Sequence, residues 1–518
     1  MAIFYTAYYR FVILFFTCLL TFGSYFCFDM PSVLQKQLER AESDGGLGLS
    51  GTQYNLLYAI YAWTNAVMVL LAGFMIDKLG NRFGLFLFSF MCVLGSSVFS
   101  LGATFNLFPI MLLGRLIFGT GNGSLTVVQN RVSTFWFKGK ELALAFGFTL
   151  SFSRLGSVLN FLLTDRYAQS LWPDNPKEQV VNALWTGSLL CGLGFVSAAV
   201  TASLDERGME QLGRTESTAA NARRVNVRDI FKFSLLYWLV ALAIMFFYNG
   251  IFAFIADASL FIQDKYGFSA DTSSIIAGGV YDVSLVLAPF CGLLVDCAGR
   301  RGVLILLCLL LTVPVFALLA FTCVYPLIPI LWLGMTYSIG ASSLWPSIPL
   351  IVPLQLVGTA MGVATTVQMV GIGICNIVVG KLEDLNRSHQ PDSTPAFDWL
   401  SNTTSNYGEC SDKKPSTTFL TDTLTKAEAP VPDRNWTYIM IFLFGNIIVG
   451  VVVAIFLNIR DAQTGFVLNR SRAGRQAPET SDSGRAEDVD SSEESDDDET
   501  AKLLPNIPFD GRDTQPIN

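Results

Sequence analysis

Apolar runs of about 20 residues, the length a helix needs to cross a bilayer, recur along this chain. They lie near 10–29, 53–76, 83–104, 107–128, 141–164 and 181–203, and again near 234–256, 274–295, 303–324, 327–350, 357–380 and 436–458. Each run is continuous rather than alternating, which excludes a barrel of strands. The pattern predicts an all-α membrane protein of twelve transmembrane helices in two six-helix halves. Residues 1–203 form the first half and 204–233 a cytosolic linker. Residues 234–460 form the second half, interrupted by a polar loop at 381–435, and 461–518 form a disordered acidic tail.

Composition supports this class. Of 518 residues, 52% are hydrophobic and only 15% charged, and the mean hydropathy is +0.46; a soluble domain carries roughly 25% charged residues. The net charge of −8 owes much to the tail SSEESDDDE at 491–499, so it does not point to nucleic acid as a partner. The ten cysteines fall mostly within or beside apolar runs and form no C-x-x-C pair, which predicts packing thiols. His389 is the one histidine, and no metal site is expected. The first apolar run is too long for a signal-peptide core and no small-residue cleavage site follows it, so it is read as a retained helix.

Charge sets the direction. With both termini in the cytosol, the cytosolic loops hold Lys78, Arg82, Arg131, Lys138, Lys140, Arg300 and Arg301 and a basic linker, whereas the opposite short loops hold only Lys36, Arg40, Arg166, Lys177 and Lys265. The long loop then falls on the other side with sequons at Asn386, Asn402 and Asn435, the last too close to the membrane to be used readily.

A ten-residue pattern occurs twice, as GFMIDKLGNR at 73–82 and GLLVDCAGRR at 292–301. Each copy follows the second apolar run of its half, as internal repeats of a transporter would. Asp77 and Asp296 are expected at helix C-termini, where the macrodipole disfavours them, so Arg82, Arg301 or a neighbouring helix N-terminus must compensate. Gly73, Gly80, Gly292 and Gly299 suit tight turns and close helix approach, and Arg300 adds a second cation to the later copy.

Ionisable residues inside the runs are costly and therefore candidates for function. Arg154 sits near the middle of span five, beyond the reach of snorkelling, and suits an anion. Arg115 in span four serves either structure or substrate. Asp282 in span eight would bind a cation, pair with an arginine or carry a proton. Asp29 closes span one and lies either at the membrane interface or inside. Tyr25, Gln129, Asn160, Tyr248, Asn249, Trp345 and Gln368 are polar or aromatic residues able to line the same cavity. There is no nucleophile–base pair, metal cluster or phosphate loop, so neither an enzyme nor a cofactor is expected.

The duplicated pattern resembles the signature loop of the major facilitator superfamily, and the resemblance extends over about 10–460. It implies that the repeated loops belong to the cytosolic gate. GSYFCFDMPSVLQKQ, STFWFKGKELALAFGFTLSFSRLGSVLN, SLWPSIPLIVP and LVGTAMGVATTVQMVGIGI resemble a subfamily of lysosomal dipeptide exporters. That resemblance implies a dipeptide substrate, an accessory glycosylated lysosomal membrane protein, and a role for Arg154 in receiving the peptide carboxylate. Where the resemblance has a glutamate in span four this chain has Gly123, so Asp282 or Asp29 supplies the negative charge, or the substrate is another anion. The tail motif ETAKLLP, with Glu499, Leu503 and Leu504, resembles the acidic dileucine signal read by clathrin adaptors. The residues leave open a uniporter, a proton-coupled carrier of another small organic anion or sugar at an endosomal or plasma membrane, and a non-transporting scaffold for a glycoprotein.

Overall fold

A computed structural model describes residues 2–137, 140–171, 175–211, 233–352, 357–388 and 436–469 of the chain. The first half contains α1 (Ala2–Val33), the short α2 (Gln35–Glu39), α3 (Gly51–Phe105), α4 (Phe108–Trp136), α5 (Lys140–Leu171) and α6 (Pro176–Gln211). The second contains α7 (Leu235–Tyr266), α8 (Ala270–Ala298), α9 (Arg301–Phe321), α10 (Leu327–Leu344), a 3-10 turn (Trp345–Ser347), α11 (Ile348–Ile351), α12 (Val357–Ser388) and α13 (Trp436–Gln463). No strand occurs among the described residues. Among the described residues, nine helical segments are long and apolar enough to cross a membrane. The helices α4, α5 and α8, at 29, 32 and 29 residues, are of comparable length and carry Arg115, Arg154 and Asp282.

Local chemistry sets the helix ends. Ser50 and Gln53 form a reciprocal capping box at the start of α3. The Ser234 and Ser269 side chains accept from the third residues of α7 and α8. Gly267 and Gly299, both at φ 68, end α7 and α8 in the left-handed conformation. At 55 residues α3 is far longer than a bilayer is thick; it breaks at Gly80, whose φ of 84 and ψ of 166 only glycine adopts readily. Spans two and three are therefore two helices that meet at Gly80, where the sequence pattern placed a turn.

The eighth residue of the repeated motif, Gly80 in one copy and Gly299 in the other, lies at positive φ in both, but ψ differs, at 166 and −11, so the two turns are shaped differently. The cations differ. Arg82 pairs with Glu206 on α6 at 2.5 Å, across an exposed contact, and Arg301 donates to the Pro346 carbonyl. The expected partners Asp77 and Asp296 have side chains outside the described residues, as does Gly73. A Cβ on Gly292 would meet nothing within 4 Å, so no close helix approach uses that glycine here.

Three further expectations need correction or trimming. The helix α6 continues through 204–211, into the stretch read as linker. The helix α13 and the turn after it reach residue 469, past the expected start of the tail. Cys323 is disulfide-bonded, contrary to the packing-thiol reading, and its partner lies outside the described residues. Cys18, Cys27, Cys92, Cys191, Cys291, Cys308 and Cys375 are free and buried as expected. Asn402, Glu499, Leu503 and Leu504 and the side chain of Asn386 lie outside the described residues.

The described residues belong to one compact unit. Within it, α1, α5 and the first arm of α3 meet α7, α8 and α12 across the boundary between halves. Leu189, Phe290 and Val286 are among the large apolar side chains that stay exposed on the outer helix faces, as lipid contact requires. Two glycines place the boundary helices closely: a Cβ on Gly156 would fall 2.4 Å from the Phe22 carbonyl oxygen, and one on Gly23 would fall 2.2 Å from that of Leu190. The first of these contacts lays α5 directly on α1 and brings Arg154 to the boundary.

A candidate substrate site between the halves

Two glycine-paired helices from the first half, α1 and α5, and two helices from the second, α8 and α10, converge on Arg154. Its guanidinium reaches from α5 into the second half and donates to the Tyr337 hydroxyl on α10. The guanidinium carbon lies 5.1 Å from the Tyr337 ring, 5.2 Å from Tyr281 on α8 and 6.0 Å from Tyr25 on α1. These rings attract the cation through their faces while excluding water. Among the described residues no carboxylate pairs with it. Arg154 is half-buried; a cation withdrawn even partly from water without a full counter-charge is costly, and it retains donors able to take a carboxylate in a bidentate fork.

The cage has an outer layer. Tyr248 on α7 packs edge-on to Tyr337 at 5.9 Å and stacks on Phe252 at 5.6 Å. Trp345, in the 3-10 turn after α10, donates to the Tyr248 hydroxyl at 2.9 Å. These two sequence candidates therefore orient Tyr337 rather than touch Arg154. Asn160 lies two turns along α5; its carbonyl oxygen accepts from Thr164 at 2.8 Å and its buried Nδ2 has no partner. Gln368 is buried on α12, apart from these contacts. Gln129 is spent inside the first half, donating to the Thr17 carbonyl at 2.8 Å and the Thr21 hydroxyl at 3.1 Å.

The carboxylates fall differently from expectation. Asp282 is half-buried on α8 and has no ion pair or hydrogen bond among the described residues. Being the residue after Tyr281, it faces about 100° away around the helix. Asp29 is fully buried at the boundary and accepts from the Tyr281 hydroxyl at 3.2 Å. The Tyr281 ring thus touches Arg154 by its face and Asp29 by its hydroxyl. At Gly123 a Cβ would lie 1.8 Å from the Asn65 side-chain oxygen, so Asn65 occupies the space a larger residue there would need.

Arg115 belongs to a separate setting. It is 2% exposed within the first half, flanked by Phe99 at 4.8 Å, Tyr58 at 5.5 Å and Phe118 at 5.8 Å, and donates to the Phe28 carbonyl at 3.3 Å. The cavity beside it measures about 10 Å³, room for no more than one water.

Polar contacts between the halves gather at the end of the bundle opposite the repeated motif. There Ser32 donates to the Ile255 carbonyl at 2.6 Å and Tyr54 to the Ala256 carbonyl at 2.6 Å. Gln35 donates to Asp257 at 2.7 Å, and Arg166 to Asp271 at 2.8 Å. The Asp384 carboxylate on α12 accepts from the Gly51 amide at 2.7 Å and the Thr52 amide at 2.9 Å, both at the N-terminus of α3. At the motif end the Arg82–Glu206 pair lies within the first half, and the Arg301 bond to the Pro346 carbonyl lies within the second.

Sequence reasoning missed Tyr281, Tyr337, Asp257 and Asp384. The tyrosines carry no charge to mark them, although their spans hold several polar residues. Asp384 lay beyond the apolar run and read as loop.

The sequence profile described as the Major Facilitator Superfamily matches residues 13–375. The lysosomal dipeptide transporter MFSD1 of Bos taurus is 37% identical over 380 residues, 72% of this chain and 80% of that protein. The Homo sapiens protein of the same name is 36% identical over 379 residues, with the same coverage. Among solved structures, the nucleoside transporter NupG matches with a TM-score of 0.57 at 12% identity, over 86% of this chain and 99% of its own. A bacterial homologue of the human lysosomal transporter Spinster, in an inward-facing and occupied conformation, matches with a TM-score of 0.55 at 17% identity, over 88% and 96%. With long helices in two halves among the described residues, a duplicated ten-residue motif and these relatives, the chain belongs to the major facilitator superfamily.

Proposed function

We propose that this transporter exports dipeptides from the lysosomal lumen to the cytosol by alternating access, as a uniporter. The observation that carries the reading is the Arg154 guanidinium, held between the halves by tyrosines from both and paired with no carboxylate. A substrate carboxylate completes that site. The relatives named as dipeptide transporters supply the substrate class. Uniport fits a site in which Asp282, one candidate for carrying a coupling proton, forms no ion pair with Arg154.

The lumenal side is assigned to the end opposite the motif. Positive loops at the motif end favour the cytosol. Cys323, in the 322–326 segment at the other end, forms a disulfide, which suits an oxidising compartment. The sequons at Asn386 and Asn402 fall on that same side. The lumenal end is then the one closed by the contacts of Asp384, Asp257 and Arg166, and the described state faces the cytosol.

Purified protein in proteoliposomes is expected to take up labelled dipeptide down its gradient, with a rate that a pH gradient changes by less than about twofold, since uniport has no proton term. Uphill accumulation driven by the pH gradient would overturn uniport, and absence of uptake for any dipeptide would overturn the substrate class.

Glu499, Leu503 and Leu504 are proposed to recruit a clathrin adaptor for lysosomal delivery, with an accessory glycosylated membrane protein as lumenal partner. Replacing both leucines with alanine is expected to move most of the protein to the cell surface by microscopy. Unchanged lysosomal location would remove the motif from the account.

A further inference from the structure

The Asp29 carboxylate is an unfinished contact. Its residue is 1% exposed, yet only Oδ1 is bonded, to Tyr281, while Oδ2 has no partner. The neighbouring Ser157 hydroxyl on α5, 0% exposed, faces this same carboxylate and eases its charge, but without the geometry of a full hydrogen bond. Leaving Oδ2 unpaired in a dry interior costs about 1–3 kcal/mol, more for a charge, so the arrangement calls for a donor in some other state of the protein. Arg154 and Arg115 both act on Asp29 electrostatically, but neither forms an ion pair with it. Arg115 is occupied within its own half by aromatic rings and the Phe28 carbonyl.

The partner of Oδ1 belongs to the opposite half. When the halves part at the lumenal end, Tyr281 leaves with α8 and the carboxylate loses its one hydrogen bond while gaining access to solvent and solute. The geometry around it suits a zwitterion. The Tyr281 ring lies with its centroid 5.2 Å from the Arg154 guanidinium carbon and its hydroxyl 3.2 Å from Asp29. One aromatic ring therefore spaces an anion-binding group from a cation-binding one. Two extended residues span roughly 7 Å, a comparable length. Span four offers no competing carboxylate at Gly123, where Asn65 fills the space.

We propose that Asp29 is the subsite for the substrate's α-ammonium, engaged while the lumenal end is open and handed to Tyr281 when that end closes. The proposal rests on dipeptide transport being the function. It makes Asp29 the residue that selects a free N-terminus, with Arg154 selecting the free C-terminus. Closure then exchanges one donor to Asp29 for another, which frees the ammonium for release on the cytosolic side.

The test measures inhibition of labelled dipeptide uptake by a free dipeptide, its N-acetyl form and its C-terminal amide. In the wild type, blocking either end is expected to weaken inhibition by roughly 30-fold or more, the scale for losing one partner of a desolvated charge pair. In Asp29→Asn the N-acetyl penalty is expected to shrink to about threefold or less, while the amide penalty persists because Arg154 is untouched. Tyr281→Phe removes only the closing contact and should keep the N-acetyl penalty. An Asp29→Asn protein that still rejects N-acetyl dipeptide as the wild type does would overturn the proposal. So would Tyr281→Phe losing the penalty alongside it, which would mark Asp29 as a closing contact only. Should Asp29→Asn not transport or not fold, the same three compounds are read by thermal stabilisation of purified Asp29→Glu. That variant keeps the charge and should keep the penalty, and its loss would likewise overturn the proposal. Wild-type protein that takes up no dipeptide would instead refute the proposed function.

Discussion

Replacing Arg154 with glutamine is expected to lower dipeptide uptake by about 30- to 1000-fold, corresponding to the 2–4 kcal/mol lost when a desolvated charge pair loses one member. Glutamine can still donate to Tyr337 and fill much of the cage, so the loss is specific to charge and to the planar fork. Folding should not suffer. The guanidinium has no carboxylate partner among the described residues, so removing it relieves a desolvation cost instead of orphaning a counter-charge. Arg154→Lys keeps the charge but not the bidentate geometry, and should fall between the two. The decisive comparison is between a free dipeptide and its C-terminal amide as inhibitors. The wild type should discriminate, and the glutamine variant should not. Full uptake by Arg154→Gln would remove the guanidinium from the substrate site.

Arg154 was legible in the sequence because an arginine in the middle of an apolar run is rare and costly, and its cost does not depend on knowing its neighbours. The helix set was legible for the same kind of reason, since bilayer thickness dictates run length. Gly80 and Gly299 were legible as a pair because the repeat set them in register, and both adopt positive φ. What the pattern could not supply was contact between helices distant in the chain. Tyr281 and Tyr337 matter because α8 and α10 carry them to the same guanidinium, and nothing local distinguishes them from packing tyrosines. Asp29 and Asp282 were equally plausible carboxylates by sequence. The fold separates them, burying one at the boundary between halves and turning the other aside. Likewise the partner of Arg82 is Glu206 on α6, a pairing that required knowing how far that helix extends beyond its apolar run.

The second large effect is expected at the closed end, from Asp384→Ala. The carboxylate of this α12 residue grips the first two amides of α3 at 2.7 and 2.9 Å, joining the second half to the first. These donors are unpaired within the helix and carry its positive dipole end, so both bonds are charge-assisted. The helix itself keeps its Ser50–Gln53 capping box and will not unwind when Asp384 is removed. The lost energy, about 2–3 kcal/mol for the pair of bonds, therefore falls on the closed state, because separating the halves at this end breaks them in any case. A cost of that size shifts the balance between closed and open lumenal ends by about 30- to 150-fold. The first arm of α3 is gripped by Asp384 at one end and broken at Gly80 by the repeated motif at the other. Weakening the first grip should consequently transfer control to the motif end. Spin labels at Leu107 and Tyr325, exposed and on opposite halves at the end away from the repeated motif, will read the change as a longer inter-label distance in Asp384→Ala. Asp384→Asn, which retains one acceptor oxygen without the charge, should give a smaller shift. Distance distributions identical to wild type in both variants would show that the remaining contacts, led by Gln35–Asp257 and Arg166–Asp271, hold the end closed without Asp384.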